Sequence, residues 1–418
     1  MTTDLLGKYS FGVGDRFAQQ GEAQLAAIRM AQERGIDVTP VWNKSHREHT
    51  IAKTEPIGTR RAADAAVAGL GWTGGYFVDA DHVTLETVGR FLDCSDYFTI
   101  DVADAIGRPA DPDAIGAFVE RFGRYVGTPG IPGVALPCPI TAAALEQAAG
   151  RYLQAVREAG VVYRRIREAK GGDGFIVEVS MDEAASAQTP LEMLLILAAM
   201  AEERIPVRAV APKFSGRFNK GVDYVGDVGR FGREFEELLA VLRFAVGEFG
   251  LPEGLKISVH TGSDKFSIYP VIGRAIRRHD AGIHLKTAGT TWLEELIGLA
   301  SSGAPGLGMA KDIYAQSLAR LDALVADYTA VIDIDPRALP PASDVRAWDG
   351  PRFAAALRHD QGCPHYNPHF RQLLHVGFKI AAEMGDAFLG AVRDNAGVIG
   401  ANVTENIFSR HLLRLFAD

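Results

Sequence analysis

Short apolar segments that alternate with helix-like segments constrain the fold of this chain more than any other feature. Eight such segments are predicted to be strands: Ser10–Gly14, Val38–Trp42, Tyr76–Val78, Tyr97–Val102, Phe175–Val179, Val207–Pro212, Leu255–Val259 and Gly282–Leu285. Most are apolar throughout, which is typical of strands buried on both faces of a parallel sheet. Alternation of strand with helix implies parallel pairing through right-handed crossovers.

Eight such units favour closure into a TIM-like (β/α)₈ barrel, and an open doubly wound sheet is the alternative. We predict that the barrel occupies residues 1–290. The connection at about 104–173 is longer than an ordinary crossover, so a helical insertion that serves as a lid is expected there. Residues 291–418 are predicted to form a helical C-terminal extension packed on the barrel.

Composition narrows the class of protein. The chain is 47% hydrophobic and 23% charged, as in a soluble globular protein. Its net charge of −8, without a long basic run, argues against nucleic acid as a partner, and its apolar runs are too short to span a bilayer. Cys94, Cys138 and Cys363 lack paired spacing, and no secretory signal opens the chain. We therefore expect a cytoplasmic protein without a disulfide framework.

Polar residues follow the strands at their carboxyl ends. In a barrel these ends surround one bowl, which is where such enzymes carry out chemistry. Basic residues in the bowl would attract an anionic substrate. Two alternative roles for them are salt bridges to nearby carboxylates and a Schiff base on Lys213 or Lys286. The predicted substrate contacts are Asp15, Lys44, Lys213, Thr261, Lys265 and Lys286.

Three histidines, His82, His260 and His284, lie at or just past strand ends. Acidic residues come from neighbouring strands: Asp79, Asp81, Asp101 and Glu178. Imidazoles with carboxylates suit zinc, manganese, nickel or iron, although each histidine alone is equally well explained as a hydrogen-bonded barrel residue or a base. Together they favour a divalent metal site. His82 can join it only if the third strand has ended, because successive strand residues face opposite sides.

Other motifs carry less weight. The segment Phe11–Gly14 lacks the third glycine of a dinucleotide loop, which argues against a nicotinamide site. The stretch Cys363–His369 is metal-like in composition, but its prolines favour a structural loop. Gln372–Met384 is predicted to be an amphipathic helix whose His375 faces the core and makes one polar contact.

Several blocks resemble the tagaturonate/fructuronate epimerase family, from about Gly12 to the C-terminus. They are VWNKSHREH, YFVDADH, DYFTIDVAD, KISVHTGSDKFSIYPVIGR, HLKTAGTTWLEEL and NPHFRQLLHVGFKIAAEMG. The resemblance implies a TIM-like barrel, a divalent cation and interconversion of D-fructuronate and D-tagaturonate. It further implies that His82, His260 and His284 bind the metal and that Asp81 is a proton acceptor. Glu178 is our choice of proton donor, from its position on the fifth strand.

The two ketouronates differ at the hydroxyl-bearing carbon β to the ketone, which simple enolisation does not reach. Because no dinucleotide loop is present, retro-aldol cleavage and re-addition is the favoured route, with elimination and re-addition of water as the alternative. A metal-dependent aldolase or aldose–ketose isomerase acting on a small acidic sugar is the second hypothesis. A non-catalytic sugar-acid binding protein is the third. A homo-oligomer is compatible with the sequence.

Overall fold

Eight parallel strands close into a barrel in chain order, in a computed structural model that describes residues 6–127, 130–134 and 140–417. The strands are β1 (Tyr9–Gly14), β2 (Val38–Ser45), β3 (Phe77–Val83), β4 (Tyr97–Asp101), β5 (Ile176–Ser180), β6 (Ala209–Ala211), β7 (Lys256–His260) and β8 (Ile283–Lys286). β8 pairs with β1, which closes the ring and excludes the open sheet. The predicted TIM-like barrel is confirmed, and β3 differs most, since it continues to Val83.

Helices surround the barrel: α1 (Gly21–Gln32), α2 (His46–Ala52), α3 (Pro56–Leu70), α4 (Pro112–Phe122), α5 (Ala142–Lys170), α6 (Pro190–Glu202), α7 (Val228–Phe249), α8 (Tyr269–Arg278) and α9 (Thr290–Ser301). α6 shows how local sequence sets an element. It begins at a capping box in which Thr189 and Glu192 each bond the other's backbone. Its residues are buried nearly all round because it lies between α5 and α7 as well as against the strands.

The long connection between β4 and β5 contains the crossover helix itself. α5 packs beside α6 in the helical ring, and the additional helix is α4, which packs on α5. The stretch at about 104–173 thus contains α4 in addition to a crossover helix, and its role as a lid stays a prediction. Cys138, one of the three cysteines, lies outside the described residues, as does the segment 1–5 at the N-terminus.

The chain beyond β8 and α9 is helical. It comprises α10 (Ala304–Ala319), α11 (Leu321–Val325), α12 (Ala342–Ala347), α13 (Gly350–Leu357), α14 (Pro368–Val376), α15 (Phe378–Met384), α16 (Asp386–Asp394), α17 (Ala396–Glu405), a π-helix (Asn406–Leu412) and α18 (Leu413–Phe416). α13 and α17 pack on α9, and α18 packs on α8. In the ranges described here, none of the helices combines the length and apolar character needed to cross a membrane.

A buried carboxylate joins this extension to the barrel. Asp264 follows β7, and its Oδ2 accepts a hydrogen bond from Arg371 Nη2 at 2.7 Å. Its Oδ1 lies 3.0 Å from His411 Nε2 and accepts a bond from Thr290 Oγ1, also at 3.0 Å. Burial alone would raise the pKa of Asp264, but Arg371 and the histidines outweigh it and hold that pKa well below its usual range. His359 Nδ1 also lies 3.4 Å from Asp264 Oδ2. We call Asp264, Thr290, His359, Arg371 and His411 the Asp264 network.

Removing the arginine of this network should destabilise the whole fold. Arg371→Met leaves the fully buried Asp264 carboxylate without its cation, which costs about 3 to 5 kcal/mol for a buried ion pair. Urea unfolding followed by circular dichroism measures the loss. Arg320→Met is the matched control, because Arg320 forms an exposed pair with Glu383 on the same extension and its removal should leave the urea midpoint unchanged. Equal effects of the two substitutions would contradict a structural role for the Asp264 network.

Two histidines of the Asp264 network should contribute less stability on mild acidification. Burial lowers the pKa values of His359 and His411, so both rings are neutral in the folded protein. In the unfolded chain they take up protons below about pH 6.5, so stability is present above that pH and is lost below it, by up to about 1.4 kcal/mol per pH unit and histidine. Urea unfolding between about pH 7.5 and 5.5 tests this window.

Two variants isolate the histidine contribution to this slope. His411→Leu should make the dependence of unfolding free energy on pH shallower, whereas the exposed His365→Gln should not change it. The slopes are compared rather than the absolute stabilities, because His411→Leu also removes a contact to Asp264. A slope in His411→Leu equal to that of the wild type would refute the prediction.

Candidate functional site

Lys286, the last residue of β8, lies among three carboxylates inside the barrel mouth. Its Nζ is 2.7 Å from Asp79 Oδ2, 2.9 Å from Asp81 Oδ1 and 3.3 Å from Glu178 Oε1. Burial alone would lower the pKa of Lys286, but these carboxylates raise it well above its usual value. A Schiff base requires a neutral amine, so the contacts argue against that chemistry at Lys286. Lys286 is ion-paired with the carboxylates, as in the salt-bridge alternative considered from the sequence.

The carboxylates around Lys286 are not equivalent. Burial raises the pKa of Asp79 to about 7 even though Lys286 opposes the shift. Burial also acts to raise the pKa of Asp81, but Lys286 and His82 lower it to about 2. Asp79 is further held by Thr99, whose hydroxyl donates to both carboxylate oxygens at 3.0 Å. Three carboxylates facing one ammonium leave a negative potential at the mouth, which favours a cation there.

His82 reaches the mouth because the backbone of β3 is irregular. The pairing of β3 with β4 shifts register between Ala80 and Val83, and His82 has a φ of 51° in the left-handed region. A bulge of this kind turns a side chain that regular alternation would send to the other face. The sequence interpretation assumed that the third strand ends before His82, whereas β3 continues to Val83. His82 Nε2 lies 3.9 Å from Asp81 Oδ1, so adjacent residues share one face.

His260, the last residue of β7, is held by a buried carboxylate. Its Nε2 lies 2.6 Å from Glu178 Oε1, and Glu178 Oε2 accepts a hydrogen bond from Tyr97 at 2.6 Å. His260 Nδ1 is 3.2 Å from Asp182 Oδ2, but within the described ranges it is buried without a hydrogen-bond partner. Burial would raise the pKa of Glu178, but Lys286 and His260 hold it well below its usual range. These contacts suit a role for Glu178 in orienting His260 more than the predicted role of proton donor.

His82, His260 and Asp182 form a group suited to a divalent cation, which we call the cation cluster. One ligand atom from each lies within 4.8 Å of the others. His82 Nδ1 is bonded to Asp101 Oδ2 at 2.8 Å, which leaves its Nε2 available, just as Glu178 leaves His260 Nδ1 available. Metal-binding histidines commonly carry a carboxylate on the second ring nitrogen, which fixes the tautomer. Two imidazoles and one carboxylate thus fit the zinc, manganese, nickel or iron expected from the sequence.

The structure does not bring His284 into the cation cluster. His284 lies two residues before Lys286 on β8, fully buried, with its Nδ1 2.8 Å from Ser10 Oγ and its ring against Tyr97. Burial lowers its pKa to about 3. Its Nδ1 contact matches the alternative of a hydrogen-bonded barrel residue, while its Nε2 is buried without a hydrogen-bond partner among the described residues. Asp182 takes the third position in the group.

Five of the six predicted substrate contacts are bonded within the protein. The Asp15 carboxylate accepts from the backbone of Phe17 and Gln20, the Lys44 ammonium bonds Arg16 O and Thr54, the Thr261 hydroxyl bonds Lys286 O, and the Lys265 ammonium bonds Ser263 Oγ. Lys286 is occupied by its carboxylates. Lys213 is half-buried, and its ammonium has no partner among the residues that the structure describes. Lys213 is thus the predicted contact that is most available to a ligand.

Sequence reasoning counted Asp101 among the carboxylates near the three histidines and gave Asp182 no role. Asp182 follows β5 by two residues, so its nearness to a strand end was the available signal. Asp101 ends β4 and holds His82. Tyr97 carried no signal, because an aromatic residue at the start of an apolar strand is most simply core.

A closed barrel with ionisable groups gathered at the carboxyl ends of its strands defines the class, a (β/α)₈-barrel enzyme. The family follows from comparison: residues 135–387 match the family model of UxaE, tagaturonate epimerase, and the chain belongs to this family. A tagaturonate/fructuronate epimerase from Thermotoga maritima is 28% identical over 302 residues, covering 68% of this chain and 58% of that protein. The aligned region therefore spans less than two thirds of that relative.

Solved structures agree on the fold. Crystal structures of the fructuronate-tagaturonate epimerase UxaE from Cohnella laeviribosi, with one and with two glycerols bound, match with TM-scores of 0.80 and 0.79. Their identities are 23% and 24%, and the matches cover 98% and 97% of this chain and 81% of each structure. At this identity the likeness establishes the architecture, the barrel and its helical extension included.

Metal analysis distinguishes the two possible third ligands. The dialysed wild-type protein should retain a divalent cation, measured by plasma mass spectrometry, and Asp182→Asn and His260→Ala should lower its content because each removes a ligand atom of the cation cluster. His284→Asn should retain the metal, since His284 lies outside that group. Loss of metal in His284→Asn with retention in Asp182→Asn would instead restore the three-histidine prediction. Circular dichroism confirms that each variant is folded.

Proposed function

We propose that this chain is a divalent-metal-dependent epimerase that interconverts D-tagaturonate and D-fructuronate at the hydroxyl-bearing carbon β to the ketone. The observation that carries the proposal is the placement of the cation cluster beside a carboxylate base, with His82 Nε2 3.9 Å from Asp81 Oδ1. Membership of the epimerase family supports the reaction type, and the activity named for the Thermotoga and Cohnella relatives supports the substrates.

Asp81 is the proposed proton acceptor. One carboxylate oxygen, Oδ1, accepts a hydrogen bond from Lys286, and the other lies 3.5 Å from Asn43 Nδ2, so the group is held in place from both sides. In a retro-aldol step, Asp81 takes the proton of the β hydroxyl, the bond between the α and β carbons breaks, and its electron pair remains on the ketone-bearing fragment. A bound divalent cation would polarise the ketone oxygen and so stabilise the charge that develops there.

Re-addition completes the inversion. The three-carbon aldehyde turns within the bowl, the α carbon attacks its other face, and Asp81 returns the proton to the new alkoxide. No oxidant is consumed and no proton is taken from carbon. Glu178 is assigned a positioning role in this scheme: it is fully buried and bonded to both Tyr97 and His260, so it fixes the ring that faces the cation cluster.

Replacing the proposed base should abolish turnover while leaving binding nearly intact. Asp81→Asn keeps the shape of the side chain but removes the proton acceptor, so kcat should fall about 10²- to 10⁴-fold with little change in KM. The assay uses metal-loaded protein with D-tagaturonate and follows the appearance of D-fructuronate by NMR. Asp280→Asn is the matched control, because Asp280 is exposed at the opposite end of the barrel and pairs with Lys8. An Asp81→Asn variant as active as this control would exclude Asp81 as the base.

The same assay separates the remaining hypotheses. In D₂O, a retro-aldol route leaves protium at the inverted carbon, and a trapping agent should capture a three-carbon aldehyde acid. Deuterium at that carbon would refute the route. Accumulation of fragments would indicate an aldolase, and movement of the carbonyl an isomerase. Ligand binding without a metal and without turnover would favour a sugar-acid binding protein.

A further inference from the structure

Cationic groups gather where the extension covers the bowl. Lys220 lies between β6 and α7, and its Nζ is 5.1 Å from the centroid of the Tyr328 ring. Arg47, at 5.2 Å, and Lys379, at 5.0 Å, lie over the same ring. Lys379 bonds Asp327, but the Lys220 ammonium has neither a hydrogen bond nor an ion pair within the described part of the chain. An aromatic ring that contacts three cations does not neutralise them, so Lys220 remains available to an anion.

Two buried neighbours also have unsatisfied donors. Arg16, which follows β1, is only 5% exposed; one of its nitrogens pairs with Glu48 and its guanidinium lies 4.1 Å from the Phe378 ring. Its Nε has no hydrogen-bond partner among the residues described. His375 on α14 is 1% exposed, and neither ring nitrogen is bonded within the same ranges. His375 lies beside Lys220 in the fold, since a Cβ built on the adjoining Gly221 would be 3.3 Å from His375 Cβ. Buried polar atoms without partners are costly, so these atoms next to Lys220 point to a ligand.

The three groups act on one another electrostatically. Burial, together with the charges of Arg16 and Arg47 and against those of Glu48 and Glu183, lowers the pKa of Lys220 to about 8. Burial also holds the pKa of His375 well below its usual value, with Lys220 and Arg16 acting in the same direction. Three cationic side chains, Lys220, Arg16 and Arg47, thus face two carboxylates, Glu48 and Glu183, which favours an anion here. Glu183 is next to Asp182, which links the region to the cation cluster.

We propose that Lys220, Arg16 and His375 form a subsite for the terminal carboxylate of the sugar acid and so select an acidic ketose over a neutral one. The inference rests on the proposed function and deepens it by naming the residues that recognise the anionic end. An ammonium and a guanidinium N–H are natural donors to carboxylate oxygens. A neutral imidazole adds a donor in a place where a further positive charge would be disfavoured.

Lys220→Met tests the carboxylate subsite, because it keeps the length of the side chain and removes the charge. Calorimetry on the metal-loaded protein compares D-tagaturonate with D-tagatose, the neutral ketose that has a hydroxymethyl group in place of the carboxylate. The wild type should bind the acid more tightly. In Lys220→Met, affinity for the acid should fall about 10- to 100-fold, while affinity for the neutral sugar should not change.

Further variants serve as controls. Lys220→Arg should restore most of the preference for the acid, and His375→Leu should weaken acid binding selectively. Lys8→Met removes an equal charge at the opposite end of the barrel, where Lys8 pairs with Asp280, and should leave both affinities unchanged. If Lys220→Met does not fold by circular dichroism, Lys220→Gln replaces it in the same comparison.

Three outcomes would overturn the subsite: equal loss for both sugars, no loss for the acid, or a wild type without preference for the acid. An epimerase assay on the same samples keeps the two proposals apart. A wild type that epimerises ketouronates while Lys220→Met binds them normally refutes the subsite alone. A wild type that binds the acid through Lys220 without turnover refutes the epimerase proposal alone.

Discussion

The buried charge of Asp264 is the constraint on which the arrangement of this molecule depends. A carboxylate fully removed from water is tolerated only with cationic and hydrogen-bonding partners. Here the carboxylate lies four residues past His260, whereas Arg371 and His411 come from the helical extension. The loop after β7 and the extension therefore stabilise each other, and neither is expected to hold this conformation alone. The barrel mouth is built as much by the chain that follows the barrel as by the barrel itself.

Buried charges also give the bowl two sides of opposite charge. On the floor, Lys286 is outnumbered by Asp79, Asp81 and Glu178, which leaves a negative potential beside the cation cluster. On the side formed with the extension, Lys220, Arg16 and Arg47 outnumber the carboxylates of Glu48 and Glu183. A molecule with a carbonyl for a cation at one end and an anionic group at the other would be oriented by this polarity before any specific contact forms.

Much of the fold followed from local pattern. Apolar strands alternating with helices specify the barrel, and because all strand ends of a barrel meet in one bowl, His82, His260 and Asp81 could be assigned to it in advance. The same reasoning placed His284 there, since its position near a strand end resembles theirs. His284 lies outside the cation cluster because of how deep its side chain sits in the closed barrel. That depth depends on strand register and tilt, which sequence spacing does not reveal.

The missed residues share a physical cause. Tertiary contacts between loops and helices determine the positions of Asp182 and Lys220. They also determine that the ring nitrogens of His375 are left without hydrogen-bond partners among the described residues. For His375, the periodicity of its helix correctly predicted burial, but the expected polar contact of the ring is absent among the described residues. Likewise, Lys44 and Thr261 lie at strand ends as expected, yet they bond backbone carbonyls, a choice visible only once neighbouring loops are in place.

The left-handed backbone at His82 limits which substitutions the position can accept. Apart from glycine, the residues that adopt such a φ with least strain are asparagine, aspartate and histidine, and β-branched residues are strongly disfavoured. Of these three, histidine alone offers an imidazole nitrogen. Histidine is therefore favoured at position 82 both by the backbone conformation and by the need for a metal ligand. Substitutions there would be of two kinds: those that keep the bulge but lack an imidazole, and those that disturb the strand itself.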